Sequence, residues 1–239
     1  MGTATATLSL CQWLSSSSSM RMHVRFSCRT PHLTASAVDR TLCQINNSGA
    51  IACLRANSAE VAMEAAKAAI AGGISVLEIV VLTPGVGTVL RIEDAKSAIN
   101  AGAKFLMSPA TVKDIMVMDY VQSGEILYIP GTMTPTEILS TWDEDLSDLS
   151  RLGGFQYISA LKKAFPHVSM VASQGIKIDS IGEYILRGAS AVVLSDAIFD
   201  KDAIAQHDFD KIQNLAHSAA LLGNKSVNRI CYSSEWMMI

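Results

Sequence analysis

Ile74–Leu82 reads Ile-Ser-Val-Leu-Glu-Ile-Val-Val-Leu, and its reading decides the fold. The run is long enough for a strand and too short for a globular helix. Val76, Val80, Val81, Ile74 and Ile79 favour strand because β-branched side chains fit a pleated surface. Gly72-Gly73 precedes it and Thr83-Pro84-Gly85 follows it, and both mark chain reversals. A strand this apolar is buried on both faces, as strands of a parallel sheet are. Glu78 stands in its middle. A carboxylate there costs free energy unless it is paired, neutralised or used. If used, it has a raised pKa and serves as a general acid or base near neutral pH. The other reading is an exposed or salt-bridged glutamate at a strand end.

The flanking sequence repeats one pattern. Glu60–Ala71 reads as an alanine-rich helix that Gly72-Gly73 closes before the Glu78 strand. Glu93–Ala101 is a second helix, closed by Gly102-Ala103 and followed by a strand over Lys104–Ser108. Lys113–Gln122 leads through Ser123-Gly124 to Glu125–Pro130. Phe155–Phe165 leads through Pro166 to Val168–Ala172, and Ser180–Arg187 through Gly188-Ala189 to Ala191–Ser195. Ile51–Leu54 is the first strand, and Gly87–Leu90 is a stub of a further one. Glycines at helix ends take the left-handed cap conformation. Helix alternating with short apolar strand means parallel β/α units. About seven or eight units close a (β/α)8 barrel, whereas about five or six suit an open doubly wound sheet. No Gly-x-Gly-x-x-Gly follows the first strand, which weighs against a dinucleotide fold.

In a barrel the chemistry sits at the C-terminal strand ends. Those positions are Arg55, Glu78 to Thr83, Thr88, Ser108-Pro109, Pro130-Gly131, Ser173-Gln174-Gly175 and Ser195-Asp196. They hold no histidine and no carboxylate cluster, so neither a metal nor any other cofactor is expected. Arg55 either binds an anion or covers the rim. Ser173-Gln174-Gly175 either presents backbone N–H groups to a phosphate at a helix N-terminus or simply joins strand to helix.

Composition narrows the class. The 239 residues are 49% hydrophobic and 17% charged, enough for a full core. A net charge of −3 argues against nucleic acid as the main partner. No apolar run reaches the ~18 residues of a membrane span. The five cysteines are scattered without a Cys-x-x-Cys pair, which is neither a disulfide framework nor a zinc site. Residues 1–38 contain no acid and hold the serine run Ser15–Ser19 with Arg21, Arg25 and Arg29. That composition marks an organelle transit peptide, for which the hydroxylated start favours a plastid, or else a tail with no address. The expected organisation is a leader over 1–38, a barrel over 39–223 and a tail over 224–239.

Several segments, in this order, resemble the 2-keto-3-deoxy-6-phosphogluconate (KDPG) / 4-hydroxy-2-oxoglutarate (KHG) aldolase family in its plant plastid form. They are Ile51–Arg55, Ala71–Ile79, Gly85–Leu90, Ala101–Pro109, Tyr128–Pro135, Leu152–Phe155 and Ala172–Ile176. The resemblance implies a homotrimer of (β/α)8 TIM-type barrels acting as class I aldolases. There a lysine amine forms a Schiff base with a keto acid such as pyruvate, a glutamate moves protons, and a small aldehyde leaves or adds. The resemblance makes Glu78 that glutamate. It places Arg55, Thr88 and Pro109 in the substrate pocket, and Ser173 and Gly175 at the turn that approaches the distal end of the substrate.

Two departures accompany the match. The family's lysine lies on strand six, in a Lys-x-Phe/Tyr-Pro motif. Here the corresponding interval, Leu139–Arg151, holds no lysine, is acidic and does not read as a strand. Arginine is no substitute, because its guanidinium stays protonated. The family also has a helix of roughly 15–20 residues after the Glu78 strand, an ordinary length for a crossover. Here Pro84-Gly85-Val86-Gly87 joins the two strands directly. The sequence therefore predicts an incomplete barrel, with one crossover helix absent and strand six replaced. Altered splicing or a shifted reading frame would account for both joints. The functional expectation is an aldehyde-lyase of this family or, alternatively, an inactive relative that binds a keto acid, a phosphate or a sister subunit.

Overall fold

A computed structural model describes residues 36–81, 89–141, 146–150 and 154–235. Helix α1 (Ala37–Ser48) comes first. Ser36 and Asp39 cap it reciprocally, each side chain bonding the other's backbone N–H. The helix therefore begins ahead of the expected 38/39 boundary. The rest of the expected leader, 1–35, lies outside the described residues.

Strands and helices then alternate. β1 (Ala50–Ala56), α2 (Ala59–Ala71) and β2 (Leu77–Val81) precede α3 (Ile92–Asn100) and β3 (Phe105–Met107). Two short helices, α4 (Lys113–Met116) and α5 (Asp119–Gln122), lead to β4 (Leu127–Ile129) and β5 (Gly131–Thr132). After α6 (Pro135–Ser140) come β6 (Leu146–Ser150), α7 (Gly154–Ala164) and β7 (Ser169–Ser173). A 3-10 turn (Ile178–Ser180) and α8 (Ile181–Leu186) lead to β8 (Ala191–Leu194), α9 (Lys201–Gln206) and α10 (Phe209–Glu235).

All the pairings are parallel. Six strands follow the order β2-β1-β8-β7-β6-β5, and β3 pairs with β4. Only Pro130, which has no N–H for a ladder, separates β4 from β5. Taking those two as one strand, the described residues trace a barrel wall running β3, β4/β5, β6, β7, β8, β1, β2. Among the described residues no ladder closes β2 onto β3, and residues 82–88 between them lie outside the description. The stub expected at Gly87–Leu90 is not a strand over its described part. Val89 nevertheless lies beside β3, where its carbonyl accepts a 2.6 Å hydrogen bond from the Ser108 hydroxyl.

Two layers of core follow from strand alternation. Ala50, Ala52, Leu54 and Ala56 of β1 face outward onto Ala62, Ala65, Ala66 and Ala69 of α2. Ile51 and Cys53 face inward, with Val76, Met107, Leu127, Ile129, Val171, Ala191 and Val193. Val38, Leu42 and Ile45 of α1 pack on this inner cluster. Helix α1 thus plugs the N-terminal end of the barrel and leaves the C-terminal end as the mouth.

Three expectations are corrected. Leu146–Ser150, read as acidic and non-strand, is strand β6, paired with β5 on one side and β7 on the other. Two neighbours offering backbone partners override a weak local preference. The single helix expected over Lys113–Gln122 breaks where Met118 is extended, at φ −67° and ψ 139°. The expected boundary at 223/224 falls inside α10, whose Val227 and Ile230 pack on the outer core.

Helix α10 reaches that position over glycines. A Cβ on Gly72 would sit 2.5 Å from the Gln213 carbonyl oxygen, and one on Gly223 would sit 2.5 Å from that of Ser48. Gly223→Val should therefore lower stability by about 1–3 kcal/mol in urea unfolding, since backbone atoms cannot rotate away as a side chain does. An unchanged midpoint would show that α10 does not dock against the α1–β1 turn.

Candidate active site

The mouth is built from inward positions at the ends of β1, β2, β7 and β8. Cys53 of β1 stands opposite Glu78 of β2 in the parallel register, and Arg55 stands opposite Val80. Cys53 is 4% exposed, Glu78 is half-buried and Arg55 is exposed. The Cys53 thiol and the Glu78 carboxyl are neighbours across the ladder, and Ser195 stands just past the end of β8. Burial pushes the Glu78 carboxyl up from its ordinary value, and the neighbouring Cys53 thiol and Arg55 charge pull it partly back. Burial, reinforced by the neighbouring carboxylate, pushes the Cys53 thiol far above the usual thiol range. A thiol held up in this way is not poised as a nucleophilic thiolate.

On the far side, Ser173 ends β7 two residues beyond the inward Val171. Its Oγ is buried without a hydrogen-bond partner among the described residues. Gln174 and Gly175 follow at φ 67° and 71°, consecutive left-handed residues. Glycine takes that conformation freely, but a glutamine there holds strain of about 1–3 kcal/mol. The helix expected immediately after this turn is displaced. Lys177 is extended and caps a three-residue 3-10 turn, which leads into a six-residue helix. No long helix N-terminus is aimed at the turn.

Pro109 lies at the mouth end of β3, partly buried against the start of β5. A Cβ on Gly131 would come within 2.4 Å of the Pro109 carbonyl oxygen, so the Pro-Gly step lets these two segments touch. The Thr111 hydroxyl donates to the Gly131 carbonyl at 3.1 Å and ties the same junction. Thr88 lies outside the described residues. The fold thus brings Arg55 and Glu78 together on adjacent strands. Ser173, Gly175 and Pro109 lie at other strand ends of the same mouth.

Sequence reading placed Ser195 at a strand end of the mouth but missed Cys53 as the residue facing Glu78 across the ladder. Parity held the signal for Cys53, because a residue two before an inward Arg55 is itself inward. None of the described strands contains a lysine. Lys104 stands before β3, at the plugged end. Lys162 is on α7 and donates to the Val168 carbonyl at 2.7 Å. Among the described residues no group of three His, Cys, Asp or Glu is placed to hold a metal. No described helix is long and apolar enough to cross a membrane.

A parallel β/α barrel with a carboxylate set into its inner wall defines the class: an α/β protein of TIM-barrel type with its site at the strand ends. The sequence model of the KDPG and KHG aldolase family matches residues 80–215, beginning just past Glu78. That is more than half of the chain, and the chain belongs to that family. The KHG/KDPG aldolase of Escherichia coli K12 is 26% identical, over 67% of this chain and 85% of that protein. The 2-dehydro-3-deoxy-phosphogluconate aldolase of Dickeya dadantii is 26% identical, over 68% and 86%. Among solved structures, a KDPG aldolase from Legionella pneumophila with pyruvate captured as a covalent carbinolamine superposes with a TM-score of 0.62. It is 23% identical and covers 74% of this chain and 97% of its own.

The raised carboxyl makes a pH prediction. A group whose folded pKa lies above its unfolded value holds its proton more tightly when folded. Its stabilising contribution is present at acid pH and is lost as pH rises through the folded pKa. Glu78→Gln should therefore be more stable than the parent chain at neutral pH, with the difference closing below about pH 4, where the unfolded carboxyl is also protonated. Thermal melts at a series of pH values read this, and a gap that widens toward acid would contradict it.

Proposed function

We propose that the mouth of this barrel is a 2-keto-acid site of the class I aldolase kind, the site of a carbon–carbon (aldehyde) lyase in the family's terms. Glu78 carries the reading. A carboxyl whose pKa burial raises, set inside a barrel wall one strand from an exposed arginine, is suited to take and return a proton near neutral pH. Arg55 has the planar fork that pairs with a carboxylate, and every 2-keto acid has one. With the acid held there, Glu78 is placed to serve the carbon next to the keto group, or the water of carbinolamine formation. The substrates are small keto acids and aldehydes, without a cofactor. The plastid stroma as location rests on the acid-free leader. The homotrimer rests on the family resemblance.

Cleavage through an imine also needs a lysine amine as electron sink. The interval Leu139–Arg151 has none, and no described strand supplies one. That observation favours a second reading for the chain as written: it binds a keto acid and does not cleave an aldol. Incubation with pyruvate and borohydride, read by intact mass, separates the two. The expected result is no adduct, with pyruvate raising the melting temperature in an Arg55-dependent way. Pyruvate at tenfold over its Kd adds about 1.4 kcal/mol of stability. A trapped adduct, mapped to a lysine, would restore the lyase reading. Neither adduct nor stabilisation would overturn the keto-acid site itself.

A further inference from the structure

Among the described residues two that are not glycine have a positive φ, Gln174 at 67° and His207 at 56°. His207 ends helix α9, an ordinary place for a left-handed residue. Gln174 ends no helix. It follows β7 at the mouth, is exposed, and precedes Gly175 at φ 71°. Glycine at 174 would make the same turn without strain, and strain of this kind gathers at ligand clamps, where the side chain is used. Directly before it, the Ser173 Oγ is buried with no hydrogen-bond partner among the described residues, a hydroxyl free to donate to a ligand. The turn is poorly equipped for a phosphate, which needs free backbone N–H groups and a helix N-terminus. Here the Lys177 N–H is taken by the Ser180 hydroxyl at 3.2 Å and the Ser180 N–H by the Lys177 carbonyl at 3.1 Å. The helix that follows has only six residues.

We propose that Gln174 is a specificity-determining residue of the mouth. Its amide and the Ser173 hydroxyl donate to a carboxylate at the far end of a bound keto acid, so the turn selects a keto diacid over a phosphorylated keto acid. This rests on the keto-acid reading and deepens it. Only β8 separates β1 from β7, and two ladder spacings put them about 10 Å apart around the wall. With one carboxylate paired to Arg55 of β1, a three-carbon acid ends short of β7, whereas a five-carbon diacid extends toward it. A carboxylate is acceptor-only with two oxygens, and the hydroxyl and the amide supply a donor to each. Lys177, exposed beyond the turn, adds a positive charge on the same side. Gln174 does not touch the reacting carbon; it sets which acid is held.

The test is calorimetric binding of pyruvate, 2-oxopentanoate, 2-oxoglutarate and 2-keto-3-deoxy-6-phosphogluconate to the full chain. 2-Oxopentanoate and 2-oxoglutarate have the same length and differ in the distal carboxylate. The parent chain should bind the diacid about tenfold more tightly than 2-oxopentanoate, the worth of a hydrogen bond to a charged group, and more tightly than the phosphorylated acid. Gln174→Gly and Gln174→Ala should both bring the diacid preference to within about twofold. Their stabilities should part, with glycine raising the melting temperature and alanine not, because only glycine relieves the turn. Gln174→Asn keeps an amide and tolerates the left-handed backbone, so it should restore part of the preference. A diacid preference that survives in both the glycine and alanine chains, or tighter binding of the phosphorylated acid by the parent, would overturn the proposal. So would a preference lost in alanine and kept in glycine, since the turn and not the amide would then set it. Pyruvate, too short for the turn, reads the keto-acid site by itself. Pyruvate binding without a Gln174-dependent preference sinks the specificity claim alone, and a parent chain that binds none of the acids sinks both.

Discussion

The Glu78 carboxyl, set in an apolar stretch of barrel wall, is the constraint around which the site is arranged. The inner wall of this fold is made of Ile51, Val76, Leu127, Ile129, Val171 and their neighbours, a surface that solvates no charge. Glu78 is tolerated there because it lies near the mouth. Cys53 stands opposite it on the adjacent strand, and Arg55 lies one inward position further out. Each compensation depends on the parallel register of β1 and β2. A slip of one residue would turn Cys53 and Arg55 onto the helix layer and bring Ala52 and Leu54 into the barrel.

The remainder of the fold holds that register. The outward alanines of β1 and α2 let helix and sheet approach closely, and α10 crosses over Gly72 and Gly223 to clamp α2 and the α1–β1 turn. Helix α1 covers the opposite end with Val38, Leu42 and Ile45, which leaves the strand ends where Glu78 lies as the mouth among the described residues. Among the described residues no ladder joins β2 to β3. On its other side β2 pairs with β1 over five residues, so Glu78 faces Cys53 and Arg55 across a continuous ladder.

Much of this is legible in the sequence, for identifiable reasons. Glu78 stands out because a charge in a continuous apolar run has a free-energy cost that must be met. The β/α alternation stands out because glycine closes several of the helices just before a strand. Strand β6 does not, since Leu-Ser-Asp-Leu-Ser has neither the composition nor the pattern of a buried parallel strand. Its place is set by the open hydrogen-bonding edges of β5 and β7. Cys53 is hidden for the opposite reason: a thiol in an apolar strand is indistinguishable from core until the neighbouring strand brings a carboxylate across from it. The turn after β7 illustrates a third limit. Ser-Gln-Gly promised a helix start, and only the backbone angles reveal two left-handed residues and an extended Lys177 before any helix begins.

The most direct measurement is a crystal structure of the chain soaked with pyruvate. The account predicts pyruvate in the barrel mouth, its carboxylate on the Arg55 guanidinium, its keto carbon facing Glu78, Glu78 still beside Cys53, and no continuous density to any lysine. Pyruvate bound elsewhere, or Glu78 turned out of the barrel with the mouth empty, would contradict it.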